Sequence, residues 1–200
     1  VTSTGGSLSS EAAVAVFCGS AVGTRRRYVE AAREAGRELA ARGVTVVYGG
    51  ASIGLMGALA DSCLVAGGRV IGVIPRLMVD LELAHTGLSE LHVVETMQER
   101  KALMAALAGG FLVLPGGYGT LDEAFEMVTW RQLGLHGGPL VVANVAGYFD
   151  GLRVLLDRAA EDGLLSRANR GLVAFEGDVR AAIERLLAAM GLSSGEGSAR

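Results

Sequence analysis

Several scarcities narrow what this 200-residue chain can be. Two cysteines, Cys18 and Cys63, are too few for a disulfide framework, so a reducing, cytoplasmic setting is expected. Lysine occurs once among eighteen basic residues, at Lys101, and aromatic residues make up 5% of the chain. A net charge of −3 gives no electrostatic reason to expect a nucleic acid partner. No apolar run approaches the roughly 18 residues of a membrane span. Residues 1–10 are polar and lack the hydrophobic segment of a signal peptide. His85, His92 and His136 show no H-x-x-x-H spacing and there is no Cys/His cluster, so no metal is expected.

What the chain does have is 50% hydrophobic residues and 30 glycines, which suits one well-buried domain with many tight strand-to-helix turns. That domain is expected over 11–190, with disordered ends at 1–10 and 191–200. Short apolar strands are predicted at 13–17, 44–48, 70–74, 91–94, 110–114, 140–144 and 173–175. Helices are predicted at 24–42, 55–66, 96–107, 120–133, 149–162 and 178–189, the first of them ended by Gly43. Alternation at this spacing predicts an α/β fold, a doubly wound parallel sheet in a single domain, with ligands beyond the carboxyl ends of the strands. The segment 76–90 has no clear period and reads as a lid or a partner-contacting loop.

The rest is organised around residues 112–123, LVLPGGYGTLDE. An apolar run stops at Pro115, small residues follow, and an amphipathic helix is expected from Thr120. Gly116, Gly117 and Gly119 remove the Cβ atoms that would keep a ligand off the backbone. Backbone N–H groups can then converge on an anion at the positive end of the helix. Asp122 and Glu123 put two carboxylates beside that site, which a loop built only for phosphate has no use for. One phosphate on the loop, with a carboxylate reaching a group that becomes positive during reaction, accounts for both features. A second reading stands beside it: Thr120 and Glu123 form the T-x-x-E string of a capping box.

On the helix from Thr96, Arg100 shares a face with Leu103, Met104 and Leu107. A guanidinium there requires an anion, either a ligand phosphate or an acidic side chain such as Glu123. Lys101 reads as part of the cleft rim or as solvated. Glu126, one turn after Glu123, reads as support for it or as solvated. G-x-x-x-x-G-K-[ST] is absent, and Thr120, Leu121 and Asp122 stand where a dinucleotide fingerprint needs Gly or Ala. Neither P-loop chemistry nor hydride transfer is supported. Gly50-Ala51-Ser52-Ile53-Gly54 matches the G-x-S-x-G nucleophile elbow. Only one strand precedes the one that carries it, however, and no histidine lies near the end of the chain. Ser52 is better read as part of a glycine turn, with a serine esterase as a rival class.

PGGYGTLDE at 115, together with MQERK at 97 and YGGASIGLMG at 48, resembles the Lonely Guy (LOG) family of cytokinin-activating phosphoribohydrolases, often mislabelled lysine decarboxylases. Agreement runs from FCGS at 17 through GVIPR at 72 and ELAHTGLSELHVV at 82 to TWRQLGLHGGPLVVANVAGYFDGL at 129. The resemblance implies a Rossmann-like homodimer acting on a nucleoside monophosphate. The implied reaction is hydrolysis of the N-glycosidic bond of an N6-modified adenosine 5′-monophosphate, or of AMP, to free base and ribose 5-phosphate. The catalytic pair falls on Arg100 and Glu123. Nucleotide contacts fall on Arg100, Lys101, the loop residues Gly117, Tyr118, Gly119, Thr120, Leu121, Asp122 and Glu123, and on Glu82 and Thr129. Gly116 would join Gly117, Gly119 and Thr120 in cradling the phosphate, with Gly19 and Ser20 as the opposite wall. Met97 and the segment 76–90 would flank the base, though Met97 at helical spacing also reads as core. Gln98 stands where the family usually has histidine, and Asp122 where it often has glutamate. No cofactor is implied: a pyridoxal phosphate decarboxylase needs a Schiff-base lysine, and Lys101 lies in no recognisable cofactor motif. A non-catalytic nucleotide carrier, like the molybdenum-cofactor carriers of similar fold, is the alternative.

Overall fold

Strands whose residues are apolar without alternation must be covered on both faces, and the inner strands here are, whereas the edge strand 90–94 alternates half-buried with exposed residues. The computed structural model describes residues 12–81 and 83–192; Glu82 and the expected disordered stretches 1–10 and 191–200 lie outside the described residues, except that Gly191 and Leu192 are described. Seven strands, β1 (Ala13–Phe17), β2 (Thr45–Tyr48), β3 (Val70–Pro75), β4 (Glu90–Val94), β5 (Gly110–Val113), β6 (Leu140–Ala143) and β7 (Val173–Glu176), form one sheet of order β4-β3-β2-β1-β5-β6-β7. Every pairing is parallel. The connecting helices are α1 (Arg26–Ala41), α2 (Gly54–Val65), α3 (Arg76–Asp80), α4 (Met97–Leu107), α5 (Tyr118–Gln132), α6 (Asp150–Glu161), α7 (Arg167–Arg170) and α8 (Val179–Ala189). This is the doubly wound single domain expected from the alternation, with the Rossmann-like fold that the resemblance implied.

The period of two along each strand divides the core between the two faces. Val14 and Val16 of β1 pack with Leu39 of α1, Leu59 of α2 and Ile183 of α8. Ala15 and Phe17 pack on the other face with Met104 of α4 and Met127 of α5. Leu39, Leu59, Ile183 and Met104 are fully buried, and each such side chain contributes about 1.5–3 kcal/mol by leaving water. Gly43 ends α1 as expected, at φ 65°, with Val44 N–H donating to Leu39 O. Gly191 does the same for α8 at φ 76°, and Leu192 N–H closes the turn on Leu187 O.

Two local expectations change. The segment 76–90 begins with α3 and is then tied to the glycine loop after β2: Ser52 N–H donates to Leu83 O, and His85 N–H to Gly50 O. It is a bracket for that loop rather than a free lid. The second change is that α5 starts at Tyr118, two residues before Thr120.

β1 is where the strand order reverses, since its neighbours are β2 on one side and β5 on the other. The loops leaving β1 and β5 diverge there and open a crevice. They touch at its floor, where Gly19 N–H donates to Pro115 O at 3.1 Å.

Candidate active site

The first turn of α5 is capped by Gly117, which supplies no side-chain bond. Its first internal hydrogen bond runs from Leu121 N–H to Gly117 O. The N–H groups from Gly117 to Thr120 therefore have no intrahelical acceptor and point out of the helix end. A Cβ at Gly117 or Gly119 would meet no protein atom within 4 Å, so packing does not require glycine there, and without side chains these two residues leave the backbone open to approach. Gly116 differs, because a Cβ would overlap the hydroxyl of the buried Thr120.

Thr120 and Glu123 are not a capping box, because both lie inside the helix. The T-x-x-E string that does cap is Thr96 to Glu99: Thr96 Oγ1 accepts from Glu99 N–H at 3.1 Å, and Glu99 Oε2 accepts from Glu95 N–H at 2.9 Å. Glu123 instead turns into the protein, 6% exposed, and meets Arg100, 5% exposed, with Nη1 to Oε1 at 3.2 Å. Arg100 Nε donates to Val73 O at 3.0 Å and Nη2 to Gly49 O at 3.3 Å. The guanidinium thus ties the carboxyl ends of β2 and β3 to α5. Its anion is Glu123, the internal pairing that was one of the two sequence readings.

Burial of both partners sets the electrostatics. Removal from water pushes the Glu123 carboxyl up, the Arg100 charge pulls it back, and Asp122 and Lys101 add smaller opposed effects, leaving it at about 7. Cys18, at the end of β1, feels the same pair. Burial holds its thiol far above the ordinary range, so it is an uncharged wall of the site and not a nucleophile.

Lys101 is neither rim nor solvated. Its side chain is 11% exposed, with Nζ 3.0 Å from Asp122 Oδ2 and 2.8 Å from Glu126 Oε2. Burial opposes its charge, but hydrogen bonds and the charges of the two carboxylates outweigh that and raise its pKa. Two ion pairs therefore join α4 to the first turns of α5. Met97 is 40% exposed with Sδ 3.9 Å from Arg100 Nη1, so it borders the site and does not belong to the core. Gly19 and Ser20 line the crevice with Gly116 and Gly117. Leu121 is half-buried on the sheet side of α5, while the Tyr118 ring is exposed. Thr129 is exposed on the same helix, about 9 Å along its axis from Glu123, and its hydroxyl donates to Phe125 O.

Among the described residues, no base is hydrogen-bonded to the serine of the elbow. Ser52 Oγ donates to Leu83 O at 3.3 Å. His85 Nδ1 accepts from Gly87 N–H, which leaves Nε2 as the protonated nitrogen and gives it to Asp61 at 3.0 Å. Among the described residues, no group of three or more His, Cys, Asp or Glu is placed to hold a metal ion. No helix of the described residues is long and apolar enough to cross a membrane.

Sequence reasoning missed the carbonyls of Gly49 and Val73 and the partnership of Glu126 with Lys101. Backbone acceptors leave no side-chain signature. Gly49 does leave an indirect one: a Cβ there would overlap Arg100 Nη2, although its φ is not positive. A Gly49→Ala protein is expected to keep its circular dichroism while kcat/KM falls about 10- to 100-fold as the guanidinium is displaced. Unchanged kinetics would show that the position of Arg100 is immaterial.

A family model described as "Possible lysine decarboxylase" matches residues 56–186. The probable cytokinin riboside 5′-monophosphate phosphoribohydrolase LOGL9 of Oryza sativa subsp. japonica is 45% identical over 173 residues, covering 86% of this chain and 76% of that protein. The cytokinin riboside 5′-monophosphate phosphoribohydrolase of Rhodococcoides fascians is 46% identical over 171 residues, covering 85% and 86%. Among solved structures, the molybdenum cofactor carrier protein of Chlamydomonas reinhardtii superposes with a TM-score of 0.66 at 22% identity, covering 89% of this chain and 99% of that one. That likeness is one of fold alone. Identity of 45–46% over most of both chains shows more: the chain belongs to the Lonely Guy (LOG) family, that of the cytokinin riboside 5′-monophosphate phosphoribohydrolases.

Proposed function

We propose that this protein hydrolyses the N-glycosidic bond of cytokinin riboside 5′-monophosphates, releasing the N6-modified base and ribose 5-phosphate. The observation that carries the reading is a buried carboxylate, Glu123, paired with Arg100 one turn beyond the orphan N–H groups of α5. A carrier would need the N–H groups but not the buried pair.

The phosphate takes the N–H groups from Gly117 to Thr120, with the positive end of α5 behind them. Three residues of helix, about 4.5 Å, separate Thr120 from Glu123, so a ribose anchored by its phosphate extends toward the carboxylate. Breaking the bond to the base makes C1′ oxocarbenium-like, and Glu123 stabilises that charge chiefly in the transition state. Water supplies the oxygen that C1′ gains, and one proton must pass from it to the departing base. Glu123 is the group placed to accept that proton. Arg100 stays charged throughout, holds the carboxylate in place, and faces the charge left on the base. Lys101, clamped between Asp122 and Glu126, keeps α5 against α4. Held protonated there, it is a poor amine for a Schiff base, which argues against the decarboxylase description of the family model.

The catalytic unit in this reading is 11–190, acting in the cytoplasm as a homodimer. The exposed side chains of Phe125, Leu133 and Leu135 on and just beyond α5 support self-association.

Incubation with isopentenyl-AMP and with AMP, followed by chromatography, tests the proposal. Free base and ribose 5-phosphate are expected, and intact nucleotide in both samples would refute it. The working form of Glu123 is the carboxylate, and its pKa is about 7. Below that pH the ionised fraction falls tenfold per unit, so kcat/KM should rise with pH up to about 7 and level off above. The substrate phosphate titrates near ~6, so a limb that levels there instead would assign the dependence to substrate and not to Glu123.

A further inference from the structure

We infer that Tyr148 is a positioning residue of the phosphate loop: it locks the peptide between Gly116 and Gly117 so that an N–H, and not a carbonyl, faces the anion. The inference rests on the phosphate site proposed above. Tyr148 follows β6 and belongs to neither of the elements that carry Arg100 and Glu123. Its hydroxyl donates to Gly116 O at 2.6 Å.

That bond matters because of where it acts. A trans peptide points its C=O and N–H in opposite directions, so fixing one aims the other. The peptide between Gly116 and Gly117 has glycine on both sides and meets the least steric resistance to flipping. A flip would take the Gly117 N–H away from the anion and present the Gly116 carbonyl to it. The loop cannot be stiffened from within at Gly116, because a Cβ there would overlap Thr120 Oγ1. Restraint has to come from outside, and it comes at two successive carbonyls: Pro115 O is held by Gly19 N–H, and Gly116 O by Tyr148.

The chain is built to deliver the hydroxyl. After β6, Ala146 sits at φ 56° and Gly147 at φ 72°, a turn in which the alanine adopts a conformation that side chains disfavour. Asn144 braces the turn by accepting from Phe149 N–H at 2.7 Å and donating to Asp150 Oδ1 at 2.8 Å. The Tyr148 ring packs edge-on against Tyr28, 5.4 Å between centroids, and lines the same crevice as Gly19, Ser20 and Gly117.

Tyr148→Phe removes the hydroxyl and keeps the ring. Expected are a KM for the nucleotide and an inhibition constant for ribose 5-phosphate that both rise about three- to tenfold. kcat, the melting temperature and inhibition by free adenine should stay near wild type. A variant that binds ribose 5-phosphate as wild type does would overturn the inference, and so would a fall in kcat and melting temperature with KM unmoved. If ribose 5-phosphate failed to inhibit even the wild-type enzyme, the phosphate loop itself would fall, and this role of Tyr148 with it.

Discussion

A Glu123→Gln enzyme is expected to bind nucleotide almost as well as wild type and to turn it over about a thousandfold more slowly. The amide keeps the volume of the side chain and can still accept from Arg100, so packing and ground-state binding change little. What it loses is charge. A carboxylate about 4 Å from a developing positive centre, at an effective dielectric near 20, contributes roughly 4 kcal/mol. The sugar carries that charge only in the transition state, so the loss falls on kcat and not on KM. The residual activity should also lose its rise through pH 7, because the group titrating at about 7 is gone. Steady-state kinetics across that range make the check, and a variant with wild-type kcat would remove Glu123 from the chemistry.

Arg100→Lys keeps the charge and is expected to fail nonetheless, with kcat/KM down about 100-fold and a lower melting temperature. Arg100 reaches Val73 O, Gly49 O and Glu123 through three different nitrogens of a planar fork. An ammonium is a single point and cannot span them. At least one buried carbonyl is then left without a donor, at about 1–3 kcal/mol for each such group. In a chain of this size that is a fall of about 2–12 °C. Glu123 would also keep its desolvation while its counter-charge, still positive, is no longer held at 3.2 Å by the fork, so its carboxyl should rise above its present value and carry the pH profile upward with it. A lysine variant with wild-type kinetics and melting would show that charge alone suffices.

The two T-x-x-E strings show how far the sequence could be read. Thr96-x-x-Glu99 and Thr120-x-x-Glu123 are equivalent as text, yet one caps α4 and the other lies inside α5. The difference is that glycine takes the N-cap of α5, so the helix starts two residues early and Glu123 swings toward β1 and Arg100. A capping pattern describes local bonds, and the burial that turned Glu123 to its neighbour is not local. Lys101 was misread for the same reason. Its partners Asp122 and Glu126 are on another helix, and nothing in the spacing along α4 points to them. Arg100, by contrast, was legible, because an arginine on an apolar helical stripe demands an anion wherever the stripe is buried.

The amino-acid sequence by itself determined the alternation of short apolar strands with helices, hence a parallel sheet covered on both faces, and it placed the glycine loop and its carboxylates at a strand end. These follow from periodicity and backbone conformation, which are properties of neighbouring residues. Only the tertiary structure decided that Glu123 pairs with Arg100 and not with its own helix end, that two backbone carbonyls anchor the guanidinium, and that Tyr148 ties back the loop. Those choices depend on which strand ends lie side by side, and on how much water is excluded between them.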